Sequence, residues 1–103
     1  MPNTLSELAV RNDAIRKMLP LTHKDDRLMV TCGVDALGGD VVSDALKQII
    51  EFDDFNEDND PYGEHDFLSF DLLTGDRAFF KIDDYNGHDG IRCVLTILLA
   101  SEY

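Results

Sequence analysis

A continuous apolar run, "IRCVLTILLA" at residues 91–100, limits what this chain can become more than any other stretch. A half-exposed strand alternates apolar with polar residues, whereas this run does not, so it predicts a central strand with both faces covered. A central strand needs neighbours on each side. "DFLSFDLLTGDRAFFKIDDY" holds two β-rich runs, 67–72 and 77–83, separated by "LTGD", whose glycine and aspartate suit a tight reversal. This segment predicts a hairpin. "RLMVTCGV", 27–34, predicts one further strand ended by glycine, and "NGHDG", 86–90, turns the chain into the last one.

Two helices are predicted to cover the sheet. The segment from Asn3 to Leu19 opens with the capping-box spacing Thr4-x-x-Glu7 and closes at Pro20. Leu5, Leu8, Ala9, Ile15 and Leu19 fall on one stripe, with Glu7, Arg11, Asn12 and Lys17 on the side facing away. The second helix is expected over about 41–52, capped by Asp40, with the apolar pairs Val41/Val42, Ala45/Leu46 and Ile49/Ile50 giving it a broad buried face. The fold class is therefore α+β: two helices packed on one face of a mainly antiparallel sheet of about four strands, in the order α-β-α-β-β-β. At 103 residues, a single domain over 1–103 is the expectation.

Charge narrows the function. The 21 acidic residues against 9 basic give a net charge of -12, which repels nucleic-acid backbones and anionic membranes and leaves basic protein surfaces as natural partners. The N-terminus "MPNTLSELAV" lacks the basic start and apolar stretch of a signal peptide, and no apolar run is long enough to span a bilayer, so a cytoplasmic location is expected. Cys32 and Cys93 lie in apolar runs and are expected to be reduced core thiols.

The charge is unevenly placed. Residues 51–76 hold ten Asp and Glu with no Lys or Arg, whereas residues 1–50 hold six basic residues against seven acidic ones. The centre of this region, "FNEDNDPYGEHDF" at 55–67, overlaps a stretch of about 53–66 without strand or helix pattern, and long loops of this kind in small domains are usually functional or mobile. Asp58, Asp60, Tyr62, Gly63 and Glu64 stand where a calcium loop has its first ligands, but Ser69 occupies the place of the closing bidentate glutamate and a strand follows instead of a helix. His23, His65 and His88 share no transition-metal spacing, so neither a metal nor another cofactor is expected.

A catalytic reading centres on Asp58, Asp60, His65 and Asp66 as a metal-dependent or hydrolytic cluster. Neighbours along a strand point to opposite faces, and no nucleophile motif accompanies them. A non-enzyme is the expectation. Asp60, Pro61, Gly63 and His65 suit a structural role, fixing a turn around Tyr62, with Asp58, Asn59 and Asp60 accepting backbone N–H bonds. Phe52, Phe55 and Tyr62 are expected to anchor the loop to the core. The flanking carboxylates find no cation nearby, which makes Glu51, Asp53, Asp54, Glu57, Asp58 and Glu64, with Phe55 and Tyr62 as apolar contacts if exposed, the candidate partner-binding set.

"VTCGVDAL", "FDDFNEDNDPYGEHDFLSF", "FFKIDDY" and "VLTILLASEY" together resemble a family of uncharacterised small proteins from alphaproteobacterial plasmids, prophages and genomic islands, with "EDNDPYGEHDF" as its most specific block. Members usually read "DFGSF" where this chain has Asp66-Phe67-Leu68-Ser69-Phe70. The resemblance implies a mobile-DNA setting and no catalytic residues. Carboxylates spaced along a helix end and loop imitate a nucleic-acid backbone. The expectation is a non-enzymatic inhibitor that binds the basic nucleic-acid surface of a host defence assembly, an anti-CRISPR or anti-restriction protein. The alternative is a regulatory or accessory protein of a mobile element acting through a dimer or partner interface on the first helix or the sheet edge.

Overall fold

The computed structural model describes residues 6–103. Ser6, itself extended, caps α1 (Glu7–Lys17), its Oγ accepting the Ala9 N–H at 3.0 Å. The predicted cap at Thr4 lies outside the described residues. Ala9, Ile15 and, just beyond α1, Leu19 are buried as the stripe predicts, but so are Asn12 and Arg16. Asn12, expected to face away, turns inward, where its amide bonds the Glu64 carbonyl, as described below.

The first strand, β1 (Asp26–Val30), is shorter than its apolar pattern. After a last ladder bond from Thr31 N–H to the Ile97 carbonyl at 3.1 Å, the chain winds into a short helix, α2 (Cys32–Asp35), where strand was predicted. Val34 reaches the core from it, while Cys32 is exposed, contrary to the core position expected of both cysteines. Gly33 allows the close packing here, since an added Cβ would stand 2.5 Å from a Glu102 carboxylate oxygen. Cys93 is buried, and burial together with a hydrogen bond to Asp84 pushes its thiol up to about 11.

The long amphipathic helix, α3 (Gly39–Glu51), is capped by Gly38 in a conformation with φ of 112°, not by the Asp40 side chain. Asp40 sits in the first turn, exposed and favourably placed for the helix dipole. Val41, Ala45 and Ile49 are buried, with Val42, Leu46 and Ile50 packed beside them. There are thus three α-helices among the described residues, not two.

The hairpin is formed by β2 (Phe67–Asp71) and β3 (Arg77–Asp84), with Leu68 opposite Phe80 and Phe70 opposite Ala78. The last strand, β4 (Cys93–Leu99), pairs antiparallel with β3 and parallel with β1. Sheet order is β1-β4-β3-β2, so the sheet is mixed, with β4 interior as the apolar run requires. Leu68, Phe70, Ala78, Phe80, Ile82, Cys93, Leu95 and Ile97 share one face and form the core with Ile15, Leu19, Val34, Val41, Ala45 and Ile49. Only that face of β4 has helices against it among the described residues. On the other face Val94 and Thr96 are half-buried and Leu98 is buried, so the predicted cover on both faces is met in part, without a helix against the second face. None of the described helices is long and apolar enough to cross a membrane.

Candidate interaction surface

The acidic segment begins where α3 ends, and what fixes it comes from α1. Arg16 is 1% exposed, and its Nη1 donates to the carbonyls of Ile49 and Phe52, both at 2.7 Å, with Ile50 at 3.4 Å. A helix leaves its last carbonyls unpaired, and this guanidinium supplies the donors that α3 itself lacks. Its Nη2 bonds Asp13 at 2.8 Å, and its charge lies 5.3 Å above the centre of the Phe55 ring. Phe55 stacks on His65 at 3.9 Å and meets Phe52 edge-on at 4.8 Å. The Phe55 ring therefore packs against both the Arg16 cation and the His65 imidazole, half-buried, an anchor of the loop more than a contact residue.

His65 closes this scaffold. Its Nδ1 lies 2.9 and 3.1 Å from the two Asp13 oxygens, and its Nε2 lies 3.5 Å from Asp60. Burial works against the charge on Asp13, but the hydrogen bonds from Arg16 and His65 outweigh it and hold the carboxyl below its ordinary range. The Asp60 carboxylate accepts the backbone N–H groups of Glu64, at 3.1 Å, and His65, at 3.3 Å. Those bonds stabilise a reversal in which Gly63 has φ of 64° and His65 φ of 55°. Pro61 lies exposed on the outside of the turn. From α1, Asn12 donates to the Glu64 carbonyl at 2.9 Å and Ser6 to the Gly63 carbonyl at 3.1 Å.

The front of the loop is tied by asparagines. The Asn56 side chain accepts from the N–H groups of Asp58 and Asn59 at 2.9 and 3.1 Å, and Asn59 answers by accepting from Asn56 N–H at 2.9 Å and donating to the Asp54 carbonyl at 2.7 Å. Of the three side chains expected to accept backbone bonds, Asn59 and Asp60 do so and Asp58 does not; Asn56 takes that place. The sequence signal was present, since asparagine favours such turns, but nothing local distinguishes Asn56 from its neighbours.

With the inner groups so engaged, Glu51, Asp53, Asp54, Glu57 and Asp58 all point outward, and Glu64 is half-buried. None of these six forms an ion pair among the described residues. Tyr62, expected to anchor the loop, is 85% exposed and rises from the turn. Between Tyr62, Glu57 and the Asp60–His65 edge lies an open polar concavity of about 590 Å³, floored by Phe55. Asp66, the last member of the catalytic reading, is set at the start of β2, where burial pushes its carboxyl up and the Asp60 and Asp83 carboxylates add to the effect. Asp58 faces solvent while Asp60 and His65 bond inward, so these four residues do not converge on one point.

A family described as "Protein of unknown function (DUF3768)" matches residues 30–93, from the end of β1 to the start of β4, and includes the whole acidic loop. The chain belongs to this family. No curated protein and no solved structure matches it. Arg16, Asp13 and Asn12, which fix the loop from α1, fall outside the matched segment.

Proposed function

We propose that this protein is a non-enzymatic acidic inhibitor that places the ridge from Glu51 to Asp58 in a Lys/Arg groove that otherwise holds nucleic acid. The observation that carries this reading is the set of five exposed carboxylates that form no ion pair among the described residues, on a backbone fixed by hydrogen bonds from Arg16 and bordered by the exposed Tyr62. A fixed anionic surface does not lose loop entropy when it docks, and its field steers a basic partner toward it. Tyrosine at the border supplies an apolar contact that slows dissociation. Against a catalytic role stand the ring nitrogens of His65, both turned to carboxylates of its own scaffold.

The concrete form is a protein encoded on a plasmid or prophage, acting in the cytoplasm of a bacterial host on a CRISPR effector or restriction complex. The test is phage plaquing on hosts with an active CRISPR or restriction system that produce either the wild type or a variant with Asp53, Asp54, Glu57 and Asp58 all changed to lysine. The wild type is expected to restore plaques and the variant to leave the phage restricted. Equal restoration by both proteins, or none by the wild type in any such host, contradicts the proposal.

A further inference from the structure

The apolar pattern of β4 calls for cover on two faces, and the helices provide one. The face away from α1 and α3 is built by alternate residues of all four strands: Met29 of β1, Val94, Thr96 and the already buried Leu98 of β4, Phe79 of β3 and Phe67 of β2. Met29 is 54% exposed, and Phe67 and Phe79 are half-buried, with Tyr103 meeting both rings edge-on at 6.3 and 5.4 Å. This face also differs in charge from the rest of the molecule. In a chain of net charge -12 this face presents three basic residues, Arg27, Arg77 and Lys81, against two acidic ones, Asp71 and Asp83.

The order of those charges along β3 names the occupant. On the open face β3 reads Arg77, Phe79, Lys81, Asp83. Laid face to face with an identical strand running the opposite way about a two-fold axis, this row is complementary to itself. Arg77 then opposes Asp83 of the second copy, Asp83 opposes its Arg77, and each Lys81 ammonium lies over the facing Phe79 ring. The present partners of these groups, Asp71 for Arg77 at 3.2 Å and Asp83 for Lys81 at 3.1 Å, are exposed pairs that are readily exchanged.

We propose that a second copy of this chain covers the open sheet face, with β3 crossing β3 in antiparallel alignment to give a two-sheet sandwich with helices outside. The acidic ridge of each copy lies beyond α3, on the helical side, and stays free. Two molecules that each carry -12 repel at a distance, so the pairing strengthens as salt screens that repulsion.

The test is sedimentation equilibrium over a range of protein concentration at moderate ionic strength, on the wild type, Arg77→Asp, Asp83→Arg and the double reversal. The wild type is expected to form dimers. Each single reversal sets like charges across the two-fold axis and weakens the dimer about tenfold, while the double reversal recreates both pairs and restores it. A Thr96→Lys variant, which puts a charge at the middle of the face on a half-buried site, is expected to be monomeric, with a melting temperature independent of concentration, whereas that of the wild type rises with concentration. A wild type that is monomeric at every concentration overturns the proposal, as does a dimer that ignores Thr96→Lys or is weakened further by the double reversal. Those outcomes leave the face to another partner.

Discussion

The acidic loop and the open sheet face sit on opposite sides of the protein and are made in opposite ways. The loop has no regular structure, yet its backbone is held by Arg16, Asn12, Asn56, Asn59 and Asp60, and its outward side carries carboxylates, no cation and one exposed aromatic, Tyr62. The sheet face has the most regular backbone in the molecule and an outward side of aromatic, aliphatic and mixed-charge residues. Rigidity in the first comes from buried polar groups and in the second from the strand ladder. The difference teaches that a strongly charged surface on a small protein needs its own internal polar scaffold, whereas an apolar surface inherits one from the fold.

The comparison breaks most completely at Arg16. Replacing it with methionine leaves the carbonyls ending α3 without their donor and the Asp13 carboxylate with His65 alone, and truncating one partner of a buried charged network costs about 3–5 kcal/mol. Urea unfolding is expected to show a loss of that order, and amide exchange in 53–65 is expected to rise well before exchange in β3 and β4. A loss below about 1 kcal/mol would mean that the loop is held by something else.

Next in size is the fourfold reversal of Asp53, Asp54, Glu57 and Asp58 to lysine. It is expected to lower affinity for a basic partner about a hundredfold or more while leaving the fold and self-association intact, because the four side chains are exposed and bond nothing among the described residues. Ionic strength then sharpens the contrast without any mutation. Ridge binding is expected to weaken with added salt and pairing through the sheet to strengthen, measured as opposite slopes of the two dissociation constants.

A smaller effect follows from Asp13. Its carboxyl is held below the ordinary range, so its contribution is complete above the unfolded-state value near 3.8 and is lost as pH falls through the lower folded-state value. Asp13→Asn is expected to flatten that acid limb of the stability profile, read by melting temperature from neutral pH downward, and an unchanged limb would contradict the assignment. The smallest expected effect on stability is Tyr62→Ala, within about 0.5 kcal/mol, because the ring is almost wholly exposed.

The elements with strong local periodicity were legible in the sequence: the hairpin across "LTGD", the paired apolar residues of α3 and the interior place of β4. The carboxylates of the loop were legible as a set without a neighbouring cation. What was not legible depends on contacts distant in sequence. Asn12 and Arg16 look like outward residues of an amphipathic helix, and only the fold brings them to carbonyls 33 or more positions away. Nothing in 27–34 marks where strand gives way to α2, because Cys32 and Val34 continue the apolar pattern. The parallel pairing of β1 with β4 joins strands that begin at Asp26 and Cys93 and leaves no trace in either.

The most direct test of the central claim, that the ridge is a surface for nucleic-acid-binding proteins, is competition for an immobilised CRISPR or restriction complex between this protein and its duplex DNA target. The wild type is expected to displace the duplex with a dependence on salt, the fourfold lysine variant to displace none, and Thr96→Lys to act like the wild type. Displacement that survives the fourfold reversal, or a duplex that stays bound at every concentration of the wild type, would contradict the account.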